Sequence, residues 1–416
     1  MRQTLFHIPE TFLGLPLFGW GLALGLLVAA VIITHCCQYI RHRKISDIGG
    51  SLALLGIGGV MLVYILPNII EPGGIPIRGY GTCLLVAILA AAALVVQLAK
   101  RQNITSETAF SLCFWTVITG IIGARLFYVT EYWQEMLRFE NENILILDSL
   151  FSILNLAQGG LVVLGSILGG TLGSYIFIRR HKMPMLRTFD ILVPAVMLGI
   201  SIGRIGCLLN GCCFGGITDS SWGIVFPHGS PAHVHQIAKG DVFHYGLKIT
   251  EKTIDGKKIL TLAEVQTNSE AETLGLKPGL LLRAIYPPQD ASDEKLRFDF
   301  YTNPTRTEAK PFLLSPTEPE VLPVYPTQIY SSGLAFLLCG MLLFLGSLRF
   351  YQQRAGLVFA TFMILYSVGR FMIEFIRTDE DSFFGTGLTV SQNISIAVGL
   401  AGAALFVYLC RRNIVS

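Results

Sequence analysis

Apolar residues in this chain come in long uninterrupted runs, and those runs set the expected architecture. Residues 11–34, 50–70, 156–178, 326–348 and 388–410 contain no charged residue. About 20 apolar residues in helical form span a bilayer core, so each run predicts a transmembrane helix. Four more runs qualify once single polar interruptions are allowed. They are 78–98, 109–130 around Arg125, 191–210 around Arg204, and 355–377 around Arg370, Glu374 and Arg377. The pattern predicts an all-α polytopic membrane protein with about nine transmembrane helices. The first run is too long for a cleaved signal peptide and lacks a small-residue cleavage site, so it reads as a span.

Residues 215–324 break this pattern. They are rich in Thr, Lys, Glu and Pro, and alternate apolar and polar side chains at 258–262 and 280–285. That period predicts a small β-rich domain. Basic residues then give direction. One set of loop ends carries Arg41, Arg43 and Lys44; Lys100 and Arg101; Arg179, Arg180, Lys182 and Arg187; Arg349 and Arg354; Arg411 and Arg412. The opposite short ends carry only Arg2, Arg78 and Arg138. Cytoplasmic loops hold the excess of Lys and Arg, so the N-terminus is expected outside, the C-terminus inside, and 215–324 outside. Near the start, Gly14-Leu-Pro-Leu-Phe-Gly-Trp-Gly21 returns as Gly74-Ile-Pro-Ile-Arg-Gly-Tyr-Gly81. Either a leading hairpin is duplicated, or both are ordinary Pro/Gly entries into membrane helices.

Composition agrees. Of 416 residues, 52% are hydrophobic and only 14% charged, with a mean hydropathy of +0.57. Soluble domains are about a quarter charged. The net charge of +3 is too small to suggest a nucleic-acid partner. Nine cysteines are scattered without a Cys-x-x-Cys pair, which argues against a disulfide framework or a zinc site.

The informative residues are charges in the wrong solvent. An arginine at the centre of a membrane helix costs about 2.5–3.5 kcal/mol on insertion scales. Arg377 can snorkel from a helix end, and Arg125 has Glu131 near enough to pair. Arg204 is different, because Gly203 and Gly206 flank it and its helix offers no acidic residue other than the distant Asp190. Tyr366, Arg370, Glu374 and Arg377 fall at i, i+4, i+8 and i+11, on one helix face. Neutralising Arg370 and Arg377 with Glu374 alone leaves one positive charge over. A guanidinium matches phosphate bidentately, and lipids are the phosphate bearers of a membrane. Glycines run from Gly159 to Gly170, a spacing that suits close helix packing or admission of a lipid.

Five motifs occur in order: Gly123-Ala-Arg-Leu-Phe-Tyr-Val129, Gly159-Gly-Leu-Val-Val-Leu-Gly165, Gly203-Arg-Ile-Gly-Cys-Leu-Leu-Asn-Gly211, Tyr325-Pro-Thr-Gln-Ile-Tyr330 and Arg370-Phe-Met-Ile-Glu-Phe-Ile-Arg377. Together they resemble the successive motifs of the phosphatidylglycerol–prolipoprotein diacylglyceryl transferases. The resemblance implies transfer of a diacylglyceryl group from phosphatidylglycerol to the lipobox cysteine of prelipoproteins, at the bacterial cytoplasmic (inner) membrane, with no cofactor. It implies essential arginines at Arg204 and Arg370 and essential tyrosines at Tyr80 and Tyr366. Asn210 and Gly211 match the signature after the first arginine. Gly159, Gly160, Gln328, Glu374 and Arg377 join Arg204 among the expected substrate-binding positions. On that reading residues 1–72 are an extra N-terminal hairpin, 73–214 and 325–416 are the two parts of the membrane core, and 215–324 is the insert.

Some positions depart from the family pattern. Leu164 stands for a usual histidine, Cys207 for an asparagine, Cys212 for a glutamate, Tyr325 for a histidine and Ser331 for a glutamate. Cys207, Cys212 and Cys213 are expected as small packing residues with free thiols, with a disulfide or a metal site as alternatives. In the insert, Asn268-Ser-Glu-Ala-Glu-Thr-Leu-Gly-Leu-Lys-Pro-Gly279 resembles a segment of PDZ domains, which bind peptide ends by strand addition; the alternative is an unrelated hairpin with a Lys-Pro-Gly turn. Two other functions compete: an anionic-lipid transporter or flippase, and a catalytically silent relative that binds lipid or lipoprotein.

Overall fold

The computed structural model describes residues 3–12, 14–17, 20–42, 51, 55–56, 58–65, 70, 74–136, 139–140, 143–144, 153, 160, 162–254, 257–286, 295–301, 308–317, 320–377 and 387–411. Its long helices are α1 (Leu22–His42), α2 (Gly79–Lys100), α3 (Ser106–Glu131), α4 (Val163–Arg180), α5 (Met185–Asn210), α6 (Pro231–Lys239), α7 (Thr327–Ser347), α8 (Leu357–Glu374) and α9 (Val390–Arg411). Among the described residues, α2, α3, α5, α7, α8 and α9 are long and apolar enough to cross a membrane, six in all. Large apolar side chains such as Leu89, Phe110, Phe336 and Phe344 stand outward on them, as lipid contact requires. The chain is a multi-pass helical membrane protein.

Among the described residues, six of the nine runs therefore appear as helices long and apolar enough to span. The run 11–34 does not form one helix: Thr11–Phe12 pairs with Leu15–Pro16 as a short antiparallel ladder, and α1 starts only at Leu22. Pro16 has no amide hydrogen to give a helix interior. The run 156–178 is helical from Val163 onward, and residues 154–159 lie outside the described set. The run 50–70 also lies partly outside it, and what is described includes a π-helical turn at Met61–Ile65.

The chain divides into two compact units. The first holds Met1–Cys83 and Leu209–Gly211. Here strand β1 (Thr4–Ile8) pairs antiparallel with β2 (Ile75–Arg78), and Gln3 Nε2 donates to the Asn210 carbonyl at 3.3 Å. Both copies of the repeated Gly-x-Pro sequence enter a short strand and then a helix.

The second unit holds Leu84–Leu208 and Cys212–Ser416. Its α3 and α4 meet backbone to backbone. A Cβ placed on Gly123 would stand 2.8 Å from the Gly169 Cα, and one on Gly169 would stand 2.9 Å from the Gly123 Cα. Small residues permit this approach, the usual source of helix association where no hydrophobic drive separates helix from lipid. Thr116 Oγ1 and Ser174 Oγ, 2.8 Å apart, lock the same interface. Gly123→Val should therefore cost about 1–3 kcal/mol, as overpacking does, and lower the thermal midpoint in detergent. Gly340→Ala, with open space around its Cβ, should leave it unchanged.

The centre of the second unit is α5. Val193 and Met197 pack with Leu338 and Leu342 of α7 and Val358 of α8. Ser332 Oγ donates to the Ser201 carbonyl at 2.8 Å, tying α7 to α5. Asp190 accepts from the backbone amides of Gly356 at 2.6 Å and Phe359 at 2.8 Å. The one acidic residue on the Arg204 helix thus caps the start of α8, where a carboxylate meets unsatisfied amides and the positive end of the helix dipole.

The insert carries a five-stranded antiparallel meander, β3 (Leu247–Ile254), β4 (Lys257–Val265), β5 (Leu281–Tyr286), β6 (Leu296–Tyr301) and β7 (Ala309–Leu314), paired in chain order. Phe298, Phe300, Leu262, Leu282 and Leu314 fill one face. Between β4 and β5, Ser269 caps the short helix Glu270–Thr273, and Ala271 and Leu276 bury themselves in the same core. Upstream, α6 is clamped to the chain leaving the insert. Gln236 Nε2 donates to the Leu322 carbonyl at 2.8 Å, and Leu322 N donates to Gln236 Oε1 at 3.1 Å.

Candidate functional site

Arg370 lies on the last full turn of α8, one turn after Tyr366. Its Nη1 is 2.6 Å from Glu374 Oε2, and its Nη2 donates to Ser391 Oγ at 2.9 Å. The Arg370 side chain is 18% exposed and that of Glu374 only 1%. The carboxylate has a further anchor, because Thr389 Oγ1 donates to Glu374 Oε1 at 3.2 Å. The Thr389 hydroxyl in turn accepts from Gln392 N at 3.2 Å, while Thr389 N donates to Gln392 Oε1 at 3.1 Å. This is a reciprocal capping box at the head of α9. The cap therefore orients Glu374, which orients Arg370. Tyr366 stacks on Phe362 with ring centroids 5.5 Å apart.

Thr389 and Ser391 were not expected as site residues. The Thr-x-x-Gln pattern at 389–392 signals the cap from sequence, but nothing local shows that the capping hydroxyl would also reach Glu374.

The helical stripe is shorter than its spacing suggests. Helix α8 stops at Glu374, so Arg377 sits in the following turn rather than on the helix face. That turn is laced to two other segments. Gly216 N donates to the Ile376 carbonyl at 3.0 Å, Gly215 N to the Tyr325 carbonyl at 2.9 Å, and Tyr325 N to the Gly216 carbonyl at 3.0 Å. A Cβ on Gly215 would stand 2.8 Å from both Tyr325 Cβ and Thr327 Cγ2.

Arg204 projects from α5, half-buried, and makes no hydrogen bond or ion pair with any described residue. Past the helix, Gly211 turns the chain with φ +75°, and Cys213 follows at φ +57°. The loop is then held from α7. Gln328, fully buried, donates Nε2 to the Cys212 carbonyl at 2.8 Å, and Thr327 Oγ1 donates to the Cys213 carbonyl at 2.7 Å. Gln328 thus positions the loop. The sulfurs of Cys207, Cys212 and Cys213 come within 4.8 Å of one another. Hydrogen bonds from the Cys207 and Cys212 thiols hold the Cys213 thiol well below its ordinary pKa, against the opposing effect of burial, with added help from Arg204 and Arg377. The sequence, lacking a Cys-x-x-Cys pair, argues against such an assembly; the left-handed residues Gly211 and Cys213 create it.

The remaining expected residues fall elsewhere. Gly160 supplies its carbonyl to Arg125 Nη1 at 3.0 Å, and a Cβ on it would stand 2.6 Å from that nitrogen. Arg125 also donates to the Ile153 carbonyl at 2.7 Å and lies 5.2 Å from the Tyr128 ring centroid. These are carbonyl and ring partners that the spacing to Glu131 does not reveal. Gly159 lies outside the described residues. Tyr80, at the start of α2, and Asn210 and Gly211 belong to the first unit. Leu164, in the first turn of α4, is 42% exposed.

The family model for prolipoprotein diacylglyceryl transferase matches residues 67–408. The chain belongs to this family. A phosphatidylglycerol–prolipoprotein diacylglyceryl transferase of Rhodopirellula baltica is 32% identical, the match covering 96% of this chain and 87% of the relative. A second transferase of that name from Clostridium perfringens is 26% identical over 80% of this chain and 91% of its own. One from Synechococcus elongatus is 35% identical over a shorter stretch, 39% of this chain and 52% of its own. Of the positions expected to depart from the family's motifs, Cys207 and Cys212 meet in one thiol cluster, while Leu164 is 42% exposed on a separate helix.

Proposed function

We propose that this chain transfers the diacylglyceryl group of phosphatidylglycerol to the lipobox cysteine thiol of prelipoproteins, releasing glycerol phosphate. Membership of the transferase family over residues 67–408 carries this reading. The peptide sulfur bonds to the terminal glyceryl carbon as that carbon's bond to the phosphate oxygen breaks. Glycerol phosphate takes the electron pair, and the thiol proton passes to solvent. The main demand is to receive the negative charge of the leaving phosphate. Arg204 and Arg370 serve that demand, since fixed donors aimed at developing charge in a dry site are the strongest common catalytic device. Tyr366 and Tyr80 orient phosphate or glycerol oxygens. Asn210, Gly211, Gly159, Gly160, Gln328, Glu374 and Arg377 are the further substrate-binding positions of this reading, and Glu374 also orients Arg370. A thiol nucleophile, with a pKa near 8.5 that neighbouring positive charge lowers, does not require the histidine that Leu164 replaces.

In this reading about nine helices cross the bacterial inner membrane, N-terminus out and C-terminus in. Residues 73–214 and 325–416 form the transferase core, 1–72 an additional hairpin, and 215–324 an outward domain whose PDZ-like segment helps hold the prelipoprotein. The test is incubation of detergent-purified protein with phosphatidylglycerol and a synthetic lipobox peptide. A gain of one diacylglyceryl unit on the cysteine is expected. Binding of lipid without any gain would favour a silent relative.

A further inference from the structure

We propose that Cys207, Cys212 and Cys213 form a binding site for one thiophilic d10 cation, Zn(II) or Cu(I), beside the arginines. Their three sulfurs, one on the last turn of α5 and two on the loop after it, already lie within 4.8 Å of one another. A metal–thiolate bond of about 2.3 Å sets sulfurs about 3.8 Å apart in a tetrahedral site and about 4.0 Å apart in a trigonal one. Closure on an ion therefore needs sulfur shifts of about an ångström or less.

The loop is built to hold this arrangement. Cys212 N donates to the Cys207 carbonyl at 3.1 Å, folding the chain back on the helix end. The carbonyls of Cys212 and Cys213 are fixed by Gln328 and Thr327, the first two residues of α7. Outer partners of this kind orient ligands and fix the geometry before the ion arrives. Three thiolates select soft cations over Mg(II) or Ca(II), which prefer oxygen.

The charges also balance. Three thiolates around Zn(II) or Cu(I) leave one or two negative charges. Arg204 precedes Cys207 by three residues on the same helix face. Arg377 follows Ile376, whose carbonyl receives the Gly216 amide from the cysteine loop. Among the described residues no fourth Cys, His, Asp or Glu joins the three sulfurs, so Zn(II) would keep one position for water. The Gln328 Oε1, buried on the amide that holds Cys212, meets no described donor, and an ordered water would satisfy it.

Metal-stripped full-length protein in detergent would be titrated with zinc chloride, and separately with Cu(I) under anaerobic conditions, counting ions per chain by elemental mass spectrometry. One ion per chain is expected for at least one of the two metals. Cys213→Ser should weaken binding at least tenfold, and the triple variant C207S/C212S/C213S should abolish it, while Cys410→Ser changes nothing. On the wild-type protein, the same ion should shield Cys207, Cys212 and Cys213 from iodoacetamide and leave Cys410 labelling unaltered, a readout that no folding defect can mimic. Absence of a stoichiometric ion, undiminished binding in the triple variant, or a disulfide among the three cysteines in the isolated protein would each overturn the site. None of these readouts depends on transferase activity.

Discussion

Arg204→Ala should lower the rate of diacylglyceryl transfer by about 10²–10³, equivalent to about 2.7–4 kcal/mol, the usual loss on removing one fixed donor from a developing oxyanion. The prediction is clean because of where Arg204 stands. It is half-buried on α5 and engages no described residue by hydrogen bond or ion pair. Asp190, its one acidic helix-mate past the first turn, is committed to the amides of Gly356 and Phe359. Removing the guanidinium therefore orphans no carboxylate among the described residues, and the thermal midpoint should move little. Arg204→Lys keeps the charge but loses the planar fork, so it should recover only part of the rate. Initial rates with phosphatidylglycerol in excess, beside unfolding curves for each variant, check both halves. A large loss of stability with the rate per folded molecule unchanged would make Arg204 structural.

Glu374→Ala should do the opposite, damaging stability first. Glu374 is almost completely buried and holds Arg370 at 2.6 Å, while Thr389 ties its other oxygen to the cap of α9. Breaking a buried pair by deleting one partner costs about 3–5 kcal/mol, because the surviving charge is left uncompensated. Arg370 keeps 18% exposure and its bond to Ser391, which places the expected loss near the low end, about 3 kcal/mol. The double variant Arg370→Met/Glu374→Leu should regain much of that stability, since apolar replacement of a buried pair is often neutral. It should regain no transferase activity. Activity surviving in the double variant would remove Arg370 from the chemistry.

Much of the membrane architecture is legible in the order of residues alone. The runs at 326–348 and 388–410 appear almost unchanged as Thr327–Ser347 and Val390–Arg411. The failures have physical causes. The run 11–34 is apolar enough to span, but Gly14 and Pro16 turn it into a short ladder before α1 begins. Hydropathy counts side chains and is blind to a missing backbone amide. In the candidate site, the i, i+4, i+8 spacing of Tyr366, Arg370 and Glu374 holds because all three lie within α8. The next step to Arg377 does not, because the helix stops.

The thiol cluster was the least legible feature. Cys207, Cys212 and Cys213 fit no ligand spacing, and they converge only through two left-handed residues and the α7 hydrogen bonds. Glycine packing was readable as a pattern, but its partner was not. Gly123 meets Gly169 on another helix, while Gly160 faces Arg125 and Tyr128.

The proposed reaction has the half-buried Arg204 and Arg370 receive the phosphate that leaves as a thiol takes the diacylglyceryl group. Its most direct test is to quantify glycerol phosphate and modified lipobox peptide together, in one incubation of purified protein with phosphatidylglycerol. Equal amounts of the two products are expected, both falling together by 10² or more in Arg204→Ala. Peptide modification without glycerol phosphate, or equal yields that Arg204→Ala leaves intact, would contradict it.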